Sequence, residues 1–541
     1  MLKQATQEST GREAVAWRGW RKVLTHTHTY SGRADHGGVV RPPESYRQLA
    51  AWAHQQGIDA LGMGSPYTPG SARTQGRYDG DERDRYYNGE VDPRQVHQLD
   101  EVRQMLRDVQ AVSANGTRFY LDNETPKGRF GHLWWVGYHP DMPAWHDYDQ
   151  DFDRWMVHQS QAGDDGDEPM PYARRPYAQI VAIQRQHGAL GFWAHPTSWW
   201  RGGQGQFITN IASEMPAHLV AEGFVDGMVV MGYHAYRPQY LALWHKLLDA
   251  GYRVPGVAEM DVGLSDPGTW SRQRAWLNHV YTGEGPDAGR DVADLTAGFG
   301  SGRLVCSSGP MIDLHVDGQP MGSAVQTDAS GWHEATIRVA PDEGMDRVAR
   351  VELVGRGGEV LWSASDVPAG VQTVRVPGLA ERGYLLVRVF GDVTPDVADS
   401  FRKLRSFAVS NPVYLHPRGQ SFEAATTTQV RVQLSSDSPY HGGRVQFESA
   451  TGEVLEAGSL SAEGAAVRMP AIGRVTLATP QGETRTDYLI NANERLMAVQ
   501  RYLYRGRFLR DLPDCHPGEV PPEAWRLDAY RDAMREMDLV V

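Results

Sequence analysis

Only two cysteines, Cys306 and Cys515, occur in 541 residues, too few for a disulfide framework or a thiolate zinc site. They read as reduced thiols, and the compartment expected is the cytoplasm. No stretch approaches the roughly 20 apolar residues that span a bilayer, and MLKQATQESTGREAVAWRGW carries no apolar segment after its first charges, so neither a membrane partner nor a secretory signal is expected. Clustered Lys and Arg are missing too, and the formal net charge is −13. Phosphate backbones need the opposite balance, which argues against nucleic acid as a partner. There is no Gly-x-Ser-x-Gly elbow to carry a nucleophilic serine.

What is present is a soluble-protein composition, 40% hydrophobic and 22% charged, in a chain long enough for about three domains. Up to about residue 310, short apolar runs alternate with helical patterns. Pro42 to Gln56 reads as a helix, with Tyr46, Leu49, Ala50 and Ala53 on one face and Gly57 ending it. Ile58–Met63, Arg118–Leu121, Ala189–Ala194, Val225–Met231 and Val254–Val257 read as strands, and 176–187 and 238–250 as helices. Such alternation predicts parallel pairing in an α/β sheet or barrel. Two polar stretches, 64–100 and 145–170, read as long inserted loops. From about 311 to 416 short alternating runs broken by Gly and Pro predict a β-sandwich, with strands at 335–339, 351–354, 360–362, 373–376 and 384–390. Residues 417–541 read as a second β-rich domain, with a strand at 430–434 and a polar helical tail.

Chemistry-bearing residues collect at the strand ends of the first region. In Leu24-Thr25-His26-Thr27-His28-Thr29, a period of two puts His26 and His28 on one face, where two imidazoles can grip one ion. Glu124 follows the strand at 118, with His132 shortly after. His195 leaves the strand at 189 before Pro196, and Glu259-Met260-Asp261 follows the strand at 254. Alone, each has an ordinary reading: surface histidines, a loop ion pair, a helix cap. Together they place four imidazoles and two carboxylates mostly at or just after strand ends, where α/β sites are built.

The order His26-x-His28, Glu124, Gly131-His132, Ala194-His195-Pro196, Asp261 resembles the PHP superfamily, named for polymerase and histidinol phosphatase domains. Gly302-Arg303-Leu304-Val305, Ser308-Gly309-Pro310, Val316-Asp317-Gly318 and Ser410-Asn411-Pro412-Val413-Tyr414 look like the barrel-to-β junction of its CehA/McbA-type metallohydrolases. The resemblance implies a distorted (β/α)7 barrel followed by β-sandwich domains. It implies that His26, His28, Glu124 and Asp261 hold one ion, and that Glu124 bridges to a second held by His132 and His195. Where the family has Thr-Asp-His this chain has Gly64-Ser65-Pro66, and Gly263 replaces the His of Asp-x-His. Those missing histidines belong to a third metal position, so one or two ions of zinc, manganese or iron are expected, with Asp35 and His36 left near the third position.

Two cations sharing a carboxylate lower the pKa of a bound water and polarise the oxygen under attack. The expected function is hydrolysis of an ester, carbamate or amide bond in a small molecule. Phosphoester hydrolysis, oxidative chemistry at an iron pair and a non-catalytic binding role are the alternatives. Arg129 and His234 are the candidates for contact with reacting groups. Homo-oligomerisation is left open.

Overall fold

The computed structural model describes residues 7–10, 17–28, 43–64, 117–124, 133–138, 181–182, 184–194, 199–201, 207–209, 220, 223, 225–232, 238–260, 262–263, 277–285, 291–341, 345–391, 406–423, 428–432, 434, 438–449, 454–461, 465–469, 472–490 and 494–495. This described chain is mostly β, with several sheets and few helices. Among the described residues no helix is long and apolar enough to cross a membrane.

The first region contains β1 (Gln7–Thr10), β2 (Trp20–Leu24), β3 (Thr27–His28), α1 (Pro43–Gln55), β4 (Ala60–Gly64), β5 (Arg118–Glu124), β6 (Leu133–Val136), β7 (Leu190–Trp193), β8 (Trp199–Arg201), β9 (Phe207–Thr209), β10 (Gly227–Met231), α2 (Pro238–Asp249), β11 (Gly256–Ala258), β12 (Val262–Gly263), β13 (Leu277–Tyr281), α3 (Val292–Ser301) and β14 (Leu304–Ser307). The helix read from 42 to 56 is α1, and residues 181–182 and 184–186 are helical within the stretch read as 176–187. In α2, Pro238 supplies a preset φ at the first turn. Tyr240, Leu243, Trp244, Leu247 and Leu248 recur at helical spacing and are buried. α3 is closed at both ends: Asp291 accepts from the Asp294 N–H, and Gly302 sits at φ 70, where a Cβ would be strained.

Strands β15 (Met311–Val316), β16 (Gln319–Pro320), β17 (Ala324–Thr327), β18 (Trp332–Ala340), β19 (Arg347–Val354), β20 (Val360–Pro368), β21 (Gly370–Pro377), β22 (Gly383–Phe390), β23 (Phe407–Ser410) and β24 (Val413–Pro417) follow. β1 joins the sheet ordered β1-β21-β18-β15-β16. Along β18, His333, Ala335, Ile337 and Val339 are buried, while Trp332, Glu334, Thr336 and Arg338 turn outward, the alternation of a sheet with one covered face. Its buried face packs with Val348, Val351, Leu353, Leu385, Val387 and Val389 from the opposing sheet, a sandwich-like arrangement. A smaller set, β25 (Thr428–Val432) to β31 (Glu494–Arg495), surrounds its own cluster of Val432, Val445, Phe447, Leu460, Val475 and Leu477.

The principal sheet runs β11-β10-β7-β6-β5-β4-β2-β13-β14-β23-β22-β19-β20. Pairs β2·β4, β4·β5, β7·β10 and β10·β11 are parallel; β5·β6, β6·β7, β2·β13 and β13·β14 are antiparallel. β14 pairs with β23, so one ladder continues from the first region into the sandwich. Among the described residues this ladder does not close on itself as a barrel. Its terminal strand β11 nevertheless reaches back to β2 through other bonds. The Met260 N–H donates to Thr25 O at 3.2 Å, Thr25 Oγ1 donates to Ala258 O at 2.7 Å, and β3 pairs in parallel with β12.

Candidate functional site

Among the described residues, the β2 end carries the side chain most informative about a site, His26. Thr25 is tied to β11 as above, and Thr27 Oγ1 donates to Gly62 O of β4 at 2.5 Å. Between them His26 adopts φ 57, the left-handed region that a side chain disfavours. The chain therefore does not run as one extended strand through His26, and the period-two argument for pairing it with His28 stops there. The physical reason is visible in its neighbours: the turned His26 N–H faces Asp122 Oδ2 at 3.4 Å, and the imidazole enters a fully covered site.

There His26 Nδ1 lies 2.6 Å from Glu259 Oε2, a distance at which a ring N–H donates to a carboxylate. The ring lies on the Trp134 indole, centroids 3.8 Å apart and planes 14° from parallel. His26, Asp122 and Glu259 are wholly buried. Asp122 Oδ2 also accepts from Trp134 Nε1 at 3.1 Å. Burial pushes the Asp122 carboxyl well above the usual carboxylate range, and the donated hydrogen bonds only partly oppose this. Burial, and then the neighbouring Asp122, likewise raise the Tyr120 phenol. Two glycines make the room: a Cβ at Gly62 would overlap the Asp122 carboxylate, and one at Gly232 would meet Glu259 Oε1 at 2.9 Å.

Of the expected ligands, His26 is the one whose side chain is described. His28 ends β3, its backbone in register with Gly263, and Glu124 ends β5, in register with Trp134; the side chains of both lie outside the described residues. His132, His195, Asp261, His234 and Arg129 lie outside them entirely, as do Asp35 and His36. Among the described residues no group of three or more His, Cys, Asp or Glu is arranged to hold a metal ion. At backbone level the structure brings the ends of β3 and β12 together, with Glu259 just beyond β11 and the end of β5 opposite the indole that stacks on His26.

Asp122, Trp134 and Glu259 were not among the expected site residues. Asp122 interrupts an apolar strand two residues before Glu124, and an acid within a buried run is the signal that marks it. Glu259 sits two residues before Asp261, and the sequence offers both acids at the same strand end. A histidine whose Nδ1 is held by a carboxylate has its ring orientation and tautomer fixed, with the lone pair placed on Nε2.

No family model matches the chain, and no curated protein matches it. Among solved structures, it is similar to the major pilin subunit of Bacillus cereus at 11% identity and TM-score 0.13, and to a variant of that subunit at 10% identity and TM-score 0.14. In both cases the match covers 35% of this chain and 66% of the pilin chain.

Proposed function

We propose that this protein is a metal-dependent hydrolase of an ester, carbamate or amide bond in a small molecule, with a PHP-like first region whose sheet curls β11 back towards β2. His26, His28, Glu124, His132, His195 and Asp261 are the residues assigned to hold one or two divalent ions. The observation that carries the reading is His26 itself: a buried imidazole in a left-handed backbone, fixed through Nδ1 by Glu259 and covered by Trp134. Carboxylate-oriented imidazoles are the usual outer-shell pattern around metal-holding histidines. The donor set fits a borderline ion such as zinc, manganese or iron and does not fit calcium.

When bound, such an ion supplies Lewis acidity and acidifies water near neutral pH. The chain's own residues prepare the place. Glu259 holds the proton on Nδ1 of His26, Trp134 keeps water from one face of the ring, and Asp122 takes the turned His26 N–H. Arg129 and His234 are assigned to the substrate side, Arg129 for a developing oxyanion and His234 for a proton or hydrogen bond.

Elemental analysis of protein purified without chelator tests this directly, beside the His26→Ala/His195→Ala double variant. One to two equivalents of zinc, manganese or iron in the parent, lost in the variant together with turnover of aryl esters or carbamates, is the expected result. Protein that carries no metal and takes up none on addition would sink the reading. Turnover of aryl phosphates alone would replace it with phosphoester chemistry.

A further inference from the structure

β11 has a backbone ladder on one side, to β10. On its other side two asparagines stand in for a strand. Asn278, from β13 and wholly buried, accepts from the Ala258 N–H at 2.8 Å and donates to Ala258 O at 2.8 Å. Its Nδ2 also lies 3.3 Å from Thr25 Oγ1, the hydroxyl that itself donates to Ala258 O. Asn411, just after β23, repeats the arrangement at Gly256: it accepts from the Gly256 N–H at 2.7 Å and donates to Gly256 O at 2.8 Å and to Leu304 O at 3.1 Å. A side-chain amide presents one donor and one acceptor as a peptide does, so each asparagine satisfies one residue of the uncovered edge.

The two clasps differ in what lies beside them. Ala258 precedes Glu259, and Thr25 precedes His26. We propose that Asn278 is the positioning residue of the site: by binding Ala258 and Thr25 with one amide, it sets the register between the two chain segments that deliver Glu259 and His26 to each other. Asn411 secures the same strand two residues earlier and holds it to the sandwich. The functional weight of this assignment rests on the metal-hydrolase reading, whereas the geometric part does not.

The experiment uses the full-length protein and compares Asn278→Ala with Asn411→Ala. The first readout is the downfield proton NMR signal of the His26 Nδ1–H, identified by its loss in Glu259→Gln. The second is affinity for zinc alone, by titration into chelator-treated protein. Asn278→Ala is expected to lose or shift the resonance and weaken zinc binding by roughly tenfold or more, the range for disturbing an outer-shell partner. Asn411→Ala is expected to keep both within about twofold while losing comparable thermal stability. A resonance and affinity unchanged in Asn278→Ala, or lost equally in both variants, would overturn the assignment. Should Asn278→Ala fail to fold, Thr25→Val removes the hydroxyl from the same junction, and a shifted resonance is expected; an unshifted one overturns the proposal. If the parent binds none of zinc, manganese and iron, the hydrolase reading fails on its own, and the resonance still decides whether Asn278 sets the pair.

Discussion

One sheet has two seams, built by different means. Where β14 meets β23, backbone groups pair along a continuous antiparallel ladder, and the sheet passes from the first region into the sandwich. Where β11 meets β2 and β13, the work falls largely to the Thr25 and Asn278 side chains, and where it meets β14, to Asn411 from just after β23. A backbone ladder tolerates almost any sequence because every residue but proline carries the same donor and acceptor. A side-chain seam requires particular residues at particular positions. The seam that depends on residue identity is also the one beside His26 and Glu259, as expected where a chemical geometry has to be held.

The strongest way to break that contrast is steric. Gly62→Ala would put a methyl group into the Asp122 carboxylate beneath His26, forcing apart β4 and β5. A loss of about 3 kcal/mol is expected by denaturant titration, at the upper end for overpacking a core. The matched change in the sandwich, Ile337→Val in an apolar cluster, is expected to cost about 1 kcal/mol and to leave the His26 Nδ1–H proton resonance unchanged. Equal losses would show that both regions rest on the same kind of packing.

Asn411→Ala sharpens the comparison between the seams. It leaves the buried Gly256 N–H and C=O short of partners, and a loss of about 2 kcal/mol is expected. Ser410→Ala, one residue away at a ladder position, removes the hydroxyl that accepts from the Val387 N–H at 2.9 Å but spares the β14·β23 backbone pairing. About 1 kcal/mol is expected there, measured in the same denaturant series.

How much of this was legible follows the same division. Strands announced by alternation, such as β18 and β21, lie where their pattern predicts, because sandwich register is set by which face is apolar. α1 and α2 are legible for the corresponding helical reason. β13 was not anticipated. Leu277-Asn278-His279-Val280-Tyr281 carries two polar residues that look like surface positions, yet both are buried. The candidate ligands could be named from residue type and strand-end position. Glu259, Asp122 and Asn278 could not, because their importance lies in contacts between segments about a hundred residues or more apart or, for Asn278 and Ala258, between two strands that do not pair with each other. His26 shows the limit most clearly: period two assumes extended backbone, and the residue that matters most departs from it.

Acid tests the junction between the regions. His245 of α2 is buried, its Nδ1 2.8 Å from the Tyr384 hydroxyl of β22; burial, and then Arg388, lower its pKa to about 3. His279 is lowered to about 3 by burial, and then by Lys22. In an unfolded chain both titrate near 6.5. Above that pH both states are neutral. Between about 6.5 and 3 the unfolded state binds protons that the folded state refuses, so stability falls as pH falls, by about 1.4 kcal/mol per pH unit for each histidine. His245→Gln is expected to make this acid limb shallower by one histidine's share, and an unchanged slope would remove His245 from the account.

The smallest expected effect is that of Asp122→Asn, at a carboxyl buried beside His26 in the residue-specific seam. Its structural service is to accept: the Trp134 indole N–H and the His26 N–H both point at Oδ2. Asn has the same shape and keeps one carbonyl oxygen able to accept both bonds. Asp122→Asn is therefore expected to cost less than about 1 kcal/mol and to preserve the stacking of His26 on Trp134, read as an unmoved His26 Nδ1–H proton resonance. Asp122→Leu, which fills the volume but leaves two buried donors unmet, is expected to cost about 2–4 kcal/mol and to disturb that stacking. If the two variants lose the same stability, hydrogen bonding at Asp122 is not what holds His26 in its left-handed turn, and the work passes to Glu259 and to the flanking bonds of Thr25 and Thr27.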